Sequence, residues 1–233
     1  MRRFPAIVLS LVVVGLGCSE AQEVPAPESR PDAQRRAAEA WDRVFRGMPQ
    51  GIPDTSGTFP AYCVDRAFRD GLLKQGHKAL VIAMGDGRYA IPFAQKGLDV
   101  TGMDISPIAV ERARKAAADA GVQLRALEAD LFGYDYGDGQ WDLVTNIYFN
   151  PAVRILDRIK TSVRPGGLLL IEGYGADHEG GGPPDWTRYK ANQLIDALPG
   201  WRILEYQDGV FLSTWAGDKR IPVVRLLARK PAR

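Results

Sequence analysis

The 233-residue chain is 45% hydrophobic and 25% charged, a balance typical of a globular protein that excludes a disordered or fibrous one. Its length suits one α/β domain with additional sequence at the ends, and such a domain needs no metal or disulfide for stability. The net charge of +2 rests on Arg2 and Arg3, since 30 basic side chains less these two leave 28 against 28 acidic ones, and this balance argues against a nucleic-acid partner.

The first 18 residues have the pattern of a secretory signal. Two arginines precede an apolar run over 4–17 that is too short to span a bilayer comfortably, and Cys18 follows it. Gly15-Leu16-Gly17-Cys18-Ser19 resembles a bacterial lipoprotein signal, in which Cys18 is lipidated after cleavage, although Gly15 stands where such signals prefer a large aliphatic residue. We therefore expect a cell-envelope protein, exported or anchored in the membrane through Cys18. The alternative is a cytoplasmic enzyme with an uncleaved anchor or a misassigned start.

Residues 19–34 are predicted to form a flexible tether, and residues 35–231 the folded domain. The tether is rich in Pro, Glu, Ser and Ala and has no apolar period. From Ala33 to Phe45 the apolar positions recur at helical spacing, which predicts a helix at the start of the domain.

A second helix is predicted over 61–74, with Gly76 ending it. Cys63 lies in its apolar part, where we expect a buried structural thiol rather than a nucleophile. Because Cys18 is the only other cysteine, its lipidation leaves no intramolecular disulfide.

Buried strands and helices then alternate along the chain. Strands are predicted over 79–83, 98–103, 124–129, 141–147, 168–171, 201–206 and 222–228, and helices over 88–96, 107–120, 152–163 and once after Trp186, with Ser106 as an N-cap. The last two strands have no helix between them, so they must pair antiparallel. We predict a Rossmann-like three-layer α/β sandwich with a mostly parallel seven-stranded sheet and a C-terminal antiparallel hairpin. Most nicotinamide-binding Rossmann domains continue with another parallel strand instead.

The turn after the first of these strands is predicted to bring its backbone close to a ligand. Gly85 and Gly87 have no side chain to block that approach and tolerate positive φ. The helix beginning near Arg88 directs its free N–H groups to the same point. Taken alone, Gly-x-Gly-x-x-Ala would match a dinucleotide site equally well.

Two acids narrow the ligand to a nucleoside. Asp104 ends the second strand, 19 residues beyond Gly85, where a carboxylate can accept hydrogen bonds from both ribose hydroxyls. The alternative is that Asp104 caps the next helix, a role Ser106 already fills. Asp130 follows the third strand, where it can accept an adenine amino proton while Leu131 packs on the ring, unless it is a solvated loop acid.

The ordered motifs over about residues 40–231 resemble those of class I S-adenosylmethionine (SAM)-dependent methyltransferases, most closely the bacterial tellurite-resistance-type branch. The resemblance rests on the segments 80–90, 99–106, 140–144, 163–168 and 180–183. It implies SAM as the cofactor and a small-molecule methyl acceptor. It also implies a cofactor site made of Ala83, Met84, Gly85, Asp86, Gly87, Arg88, Asp104, Ile105, Asp130, Leu131 and Asn146.

Two positions depart from that family. Relatives often have an acid at the place of Val81, contacting the methionine end of the cofactor, and a glycine at the place of Ala83. Backbone carbonyls can replace the acid as partners for the cofactor ammonium group. We interpret the site as a variant one rather than an inactive one.

Methyl transfer to a nucleophilic acceptor needs mainly positioning and desolvation. The sequence therefore gives few signs of catalytic residues. Candidates lie on loops at the carboxyl edge of the sheet. Tyr148 follows the fourth strand, where related enzymes often have a histidine nearby, and is predicted to position the acceptor or line the cofactor sulfur. His178, in the glycine-rich loop 174–186, is a candidate base or an exposed loop residue. The order of residues 146–151 does not match that of amino-methylating nucleic-acid enzymes.

The sequence therefore predicts a SAM-dependent methyltransferase with a small-molecule acceptor. The alternative is an envelope-tethered SAM- or nucleoside-binding domain without turnover, because SAM is made in the cytosol and an exported enzyme lacks a supply. A nicotinamide oxidoreductase is disfavoured by the predicted hairpin. Two histidines and two cysteines without ligand spacing indicate no metal site.

Overall fold

The computed structural model describes residues 30–177, 188–213, 215 and 219–232. In chain order its elements are α1 (Arg30–Gly47), α2 (Ala61–Arg69), β1 (Lys78–Ile82), α3 (Ala90–Gln95), β2 (Asp99–Asp104), α4 (Pro107–Asp119), β3 (Arg125–Glu128), β4 (Trp141–Ile147), a 3-10 helix (Asn150–Ile155), α5 (Leu156–Ser162), β5 (Val163–Tyr174), α6 (Gln193–Asp196), β6 (Arg202–Ser213) and β7 (Lys219–Arg229). The signal segment, His178 and the glycines at 180–182 lie outside the described residues.

The seven strands form one sheet in the order β3-β2-β1-β4-β5-β7-β6. The first five strands are parallel, and β7 pairs antiparallel with β5 and with β6. Successive residues of β1 point to opposite faces, so Val81 packs with α2, α3 and α4, and Leu80 packs with α5 and α6. Burial on both faces explains why β1 is a continuous apolar run. The predicted fold class is confirmed.

Several boundaries differ from the predicted ones. The helix α2 ends at Arg69 rather than at residue 74, because Gly71 takes a φ of 70° and the next two N–H groups donate to the Ala67 carbonyl. The helix α1 begins at Arg30, so the last five residues of the predicted tether are helical. Ser106 is the N-cap of α4, as predicted, and its side chain accepts from the Ala109 N–H.

The C-terminal half of the sheet contains the largest differences. The predicted helix 152–163 is a 3-10 helix followed by α5, and the helix predicted after Trp186 is the four-residue α6. β5 begins at Val163, and its register against β4 shifts around the turn at 165–167. β6 ends at Ser213 and β7 begins at Lys219. Their hairpin therefore extends beyond the last residue pair between β5 and β7, which is Tyr174 with Val223. Among the described residues, no helix is both long and apolar enough to cross a membrane.

Candidate active site

A cavity of about 410 Å³ lies at the carboxyl ends of β1, β2, β3 and β4. Open parallel sheets bind ligands at this edge. Helix α1 contributes to its wall through Ala33, Ala37, Trp41 and Phe45. Ten of the predicted site residues line this one cavity: Ala83, Met84, Gly85, Asp86, Arg88, Asp104, Ile105, Asp130, Leu131 and Tyr148.

The two glycines of the turn have different roles. Gly85 lines the cavity with a φ of 58°, and a Cβ there would lie 3.2 Å from Cζ of Phe45. Gly87 has a φ of 93° but does not line the cavity, and a Cβ there would meet the Ile91 side chain at 2.9 Å. Gly85 is therefore required both by the turn and by the approach of α1. Gly87, which was predicted to bind the cofactor, does not line the cavity, and its lack of a side chain lets the turn pack against Ile91.

Asp104 holds the glycine turn from the end of β2. It is 6% exposed, its Oδ2 accepts from the Gly85 N–H at 2.9 Å, and its Oδ1 accepts from the Ser106 N–H at 2.9 Å. Burial raises the pKa of Asp104, and these two backbone hydrogen bonds oppose that rise. A carboxylate has roughly four acceptor positions, so these bonds leave acceptor capacity for a ligand. The Ser106 side chain caps α4, so Asp104 does not fill the capping role that was the alternative for it.

The loop after β3 supplies an apolar wall beside an acid. Leu131 is buried, and Asp130 accepts from the Phe132 N–H at 3.0 Å while lining the cavity. Ile105 faces the same cavity from the end of β2. Phe132, which sequence reasoning missed, adds an aromatic ring, with the Arg154 guanidinium carbon 5.4 Å from its centroid. Apolar walls beside a carboxylate suit a heterocyclic base with an amino group.

The Tyr148 hydroxyl is held by a buried carboxylate. The residue has a φ of 59°, and its hydroxyl donates to Glu172 Oε1 at 2.8 Å. Arg225 Nη2 lies 3.1 Å from the same oxygen. Burial and the neighbouring Glu172 carboxylate raise the pKa of Tyr148 strongly. The hydroxyl is therefore bonded to Glu172, whereas the Tyr148 ring lines the cavity.

Sequence reasoning missed this buried Glu172–Arg225 pair. Glu172 is 1% exposed and Arg225 7% exposed, on the neighbouring strands β5 and β7. The Arg225 guanidinium carbon lies 5.3 Å from the Phe59 ring centroid and 5.0 Å from that of Phe211. Charged residues within two apolar strands were the available signal, but their 53-residue separation concealed the pairing.

Asn146, which was predicted to bind the cofactor, does not reach the cavity. Asn146 is buried and does not line the cavity; its Nδ2 donates to the Phe149 carbonyl at 3.1 Å and lies 3.3 Å from the Tyr189 hydroxyl. The amide therefore supports the loop after β4 rather than a ligand. The role predicted for His178 lies outside the described residues. No group of three or more His, Cys, Asp or Glu suited to a metal occurs among the described ones.

Cys63 is buried, as expected of a structural thiol. Its Sγ lies 3.8 Å from Glu205 Oε2, and burial raises its pKa well above the ordinary value. Because the thiolate is the nucleophilic form, this environment disfavours a nucleophilic role.

Replacing Ala83 with glycine is expected to stabilise the protein by about 1 kcal/mol. Ala83 has a φ of 51°, where an L-residue costs about 1–2 kcal/mol, and the greater entropy loss of glycine offsets part of that gain. For a chain of this length, the change corresponds to about 2–4 °C in Tm. Thermal denaturation provides the measurement.

The matched control is Ala79→Gly, within β1. Ala79 is fully buried in an extended strand, so glycine there removes packing without relieving strain and should lower Tm. Equal losses at both positions would contradict a strained Ala83.

Comparisons with known proteins agree with this geometry. A family model described as a methyltransferase domain matches residues 79–167. The ribosomal protein L11 methyltransferase of Pseudomonas aeruginosa is 32% identical over 143 residues, which are 60% of this chain and 48% of that protein. The chain spans between 37% and 48% of the length of the first curated relatives it matches.

Solved structures share the fold at low sequence identity. A SAM-dependent methyltransferase of Methanosarcina mazei superposes with a TM-score of 0.58 at 16% identity, covering 71% of this chain and 98% of that one. TehB of Haemophilus influenzae superposes with a TM-score of 0.61 at 19% identity, covering 76% of this chain and 64% of that one. The predicted resemblance to class I SAM-dependent methyltransferases is confirmed.

Proposed function

Because the chain carries a class I SAM-dependent methyltransferase domain, we propose that it transfers a methyl group from SAM to a small-molecule acceptor. The observation that carries this proposal is a single cavity that joins the glycine turn and Asp104 to the loop after β4. A cofactor over β1, β2 and β3 would leave the β4 side of the same cavity for an acceptor. Holding both partners in one water-poor space is the main requirement of this reaction.

The residues of the cavity fit SAM in polarity. Asp104 has acceptor positions for ribose hydroxyls, and Asp130 can accept an amino proton beside the apolar side chains of Ile105 and Leu131. At the methionine end, Val81 provides no carboxylate, so carbonyls of the glycine turn would face the ammonium group. When bound, SAM supplies an activated methyl group, and these side chains orient it and exclude water.

Calorimetry on the full-length chain tests the cofactor. We expect SAM and S-adenosylhomocysteine to bind with a Kd between about 1 µM and 1 mM, the range in which most KM values of enzymes fall. NADH serves as the comparison ligand and should bind at least tenfold more weakly. Absence of SAM binding, or preference for NADH, would contradict the proposed function. If SAM binds but no acceptor is methylated, the result would favour the alternative of a SAM-binding domain without turnover.

We also propose that the protein is anchored at the cell envelope through lipidated Cys18. Support comes from the basic start, the apolar run and the Gly-Cys-Ser sequence. Labelled palmitate should enter the wild-type protein in bacterial cells and should not enter Cys18→Ser. Cys63→Ser is the control, because Cys63 is buried and its replacement should leave labelling intact. Equal labelling of wild type and Cys18→Ser would contradict the anchor.

A further inference from the structure

Two aromatic rings line the β4 side of the cavity. Tyr148 and Trp215 both line the cavity, with ring centroids 6.5 Å apart and planes inclined by 20°. Tyr174 supports Tyr148 from the edge at 5.1 Å. We call Tyr148, Trp215 and Arg88 the acceptor wall. Ala33 and Ala37 of α1 add methyl groups to the same cavity, whose lining is predominantly apolar.

The acceptor wall presents ring carbons rather than a hydroxyl. The Tyr148 hydroxyl donates to Glu172 Oε1, which Arg225 also contacts. Turning this phenol toward a ligand would leave the buried Glu172 with one partner fewer, which costs free energy. A ligand on this side is therefore recognised by stacking on aromatic faces, an arrangement that favours planar molecules.

Arg88 adds a positive charge to the same wall. Its guanidinium carbon lies 5.4 Å from the Trp215 ring centroid, and the side chain lines the cavity. A guanidinium can stack on an aromatic ring and still bind a carboxylate through its N–H groups. Asp86 lies nearby, and its pKa is raised by burial and lowered by the Arg88 charge. Arg88 has five N–H donors, a number that allows it to bind more than one acceptor.

The described residues of the acceptor wall include no side chain suited to remove a proton from an acceptor. Tyr148 is a partly buried neutral phenol that donates its own proton. The other carboxylates that line the cavity lie on the cofactor side, Asp86 in the glycine turn and Asp104 and Asp130 after β2 and β3. An acceptor that is already ionised needs no such base.

We propose that the acceptor is an aromatic carboxylate or phenolate, whose ring stacks on Tyr148 and Trp215 and whose anionic group pairs with Arg88. This inference rests on the proposed function. The anionic oxygen forms the bond to the methyl carbon while the methyl–sulfur bond breaks and its electron pair stays on sulfur. The products are a neutral methyl ester or ether and neutral S-adenosylhomocysteine, so no proton changes place.

Binding of small probes to the full-length chain, saturated with S-adenosylhomocysteine, tests this inference. Benzoate is compared with benzyl alcohol, which lacks the charge, and with cyclohexanecarboxylate, which lacks the planar ring. We expect benzoate to bind at least tenfold more tightly than either, measured by ligand-observed NMR titration. Equal affinity for benzoate and both other probes would overturn the proposal.

Variants assign the preference to the acceptor wall. Arg88→Met should abolish the preference for benzoate over benzyl alcohol, and Trp215→Leu should abolish the preference for benzoate over cyclohexanecarboxylate. Arg154→Met is the control, because Arg154 also lines the cavity but lies over Phe132. It should retain both preferences, and their loss in Arg154→Met but not in Arg88→Met would contradict the assignment.

The experiments distinguish failure of the proposed function from failure of the proposed acceptor class. Absence of S-adenosylhomocysteine binding would contradict the proposed function. The probe titration is then repeated on the protein without S-adenosylhomocysteine. The same tenfold preference for benzoate would support a site for aromatic anions, and the absence of this preference would overturn the proposal. Thermal denaturation of each variant verifies that a lost preference does not reflect unfolding.

Discussion

Replacing Asp104 with alanine is expected to lower SAM affinity at least tenfold and to destabilise the protein by about 2–6 kcal/mol. Two buried backbone N–H groups, of Gly85 and Ser106, lose their acceptor, and each unsatisfied group costs about 1–3 kcal/mol. The ribose hydroxyls lose a charged partner at the same time, which accounts for a further 1.5–3 kcal/mol or so in binding. Calorimetry and thermal denaturation measure the two effects.

Two variants separate the binding effect from the structural one. Asp104→Asn keeps the shape of the side chain but has a single acceptor oxygen, so it should show a partial loss of both stability and affinity. Asp99→Ala lies at the exposed start of the same strand and should alter neither. Unchanged SAM affinity in Asp104→Ala, measured well below its Tm, would remove the ribose role from Asp104.

Replacing Arg225 with methionine is expected to destabilise the protein by about 3–5 kcal/mol at neutral pH, the effect of leaving one member of a buried ion pair uncompensated. Arg225 contacts Glu172 Oε1 at 3.1 Å and also donates to the Leu212 carbonyl at 2.6 Å. Glu172 Oε2 is buried and has no hydrogen-bond partner among the described residues. Thermal and chemical denaturation measure the loss.

A double variant tests whether the loss comes from the charge left behind. Glu172→Gln combined with Arg225→Met removes both charges and retains an acceptor for the Tyr148 hydroxyl, so it should recover most of the stability. Arg220→Met is the control, because Arg220 is exposed on the same strand and should cost little. A double variant no more stable than Arg225→Met would contradict this account.

The deficit of Arg225→Met should also depend on pH. Burial raises the pKa of Glu172, and the Arg225 charge lowers it, so loss of Arg225 raises it further. A folded-state pKa above the unfolded value favours folding below the unfolded pKa, near 4.5, and this contribution is lost as pH rises through the folded-state value. The deficit should therefore shrink as pH is lowered toward 4.5. A deficit that stays constant with pH would exclude the Glu172 charge as its cause.

Several features could be predicted from the sequence because they are encoded locally. The apolar runs of β1 and β4 predict strands buried on both faces, and Ser106 before Pro107 predicts the start of α4. The 19-residue spacing from Gly85 to Asp104 equals one helix and one strand, so these residues meet at the same sheet edge. Each of these inferences needs only neighbouring residues and the geometry of a parallel sheet.

Contacts between distant segments were decided only by the tertiary structure. The ring of Phe45 against Gly85, the Tyr148 hydroxyl on Glu172 and the pairing of Glu172 with Arg225 each join separate elements. Asn146 and Gly87 lie next to predicted ligand residues along the chain, yet packing places them behind the cavity wall. Chain position sets which sheet edge a residue occupies, since backbone periodicity is local. The direction of its side chain and its partner depend on how α1 and the β6–β7 hairpin pack over that edge, and no local pattern encodes this packing.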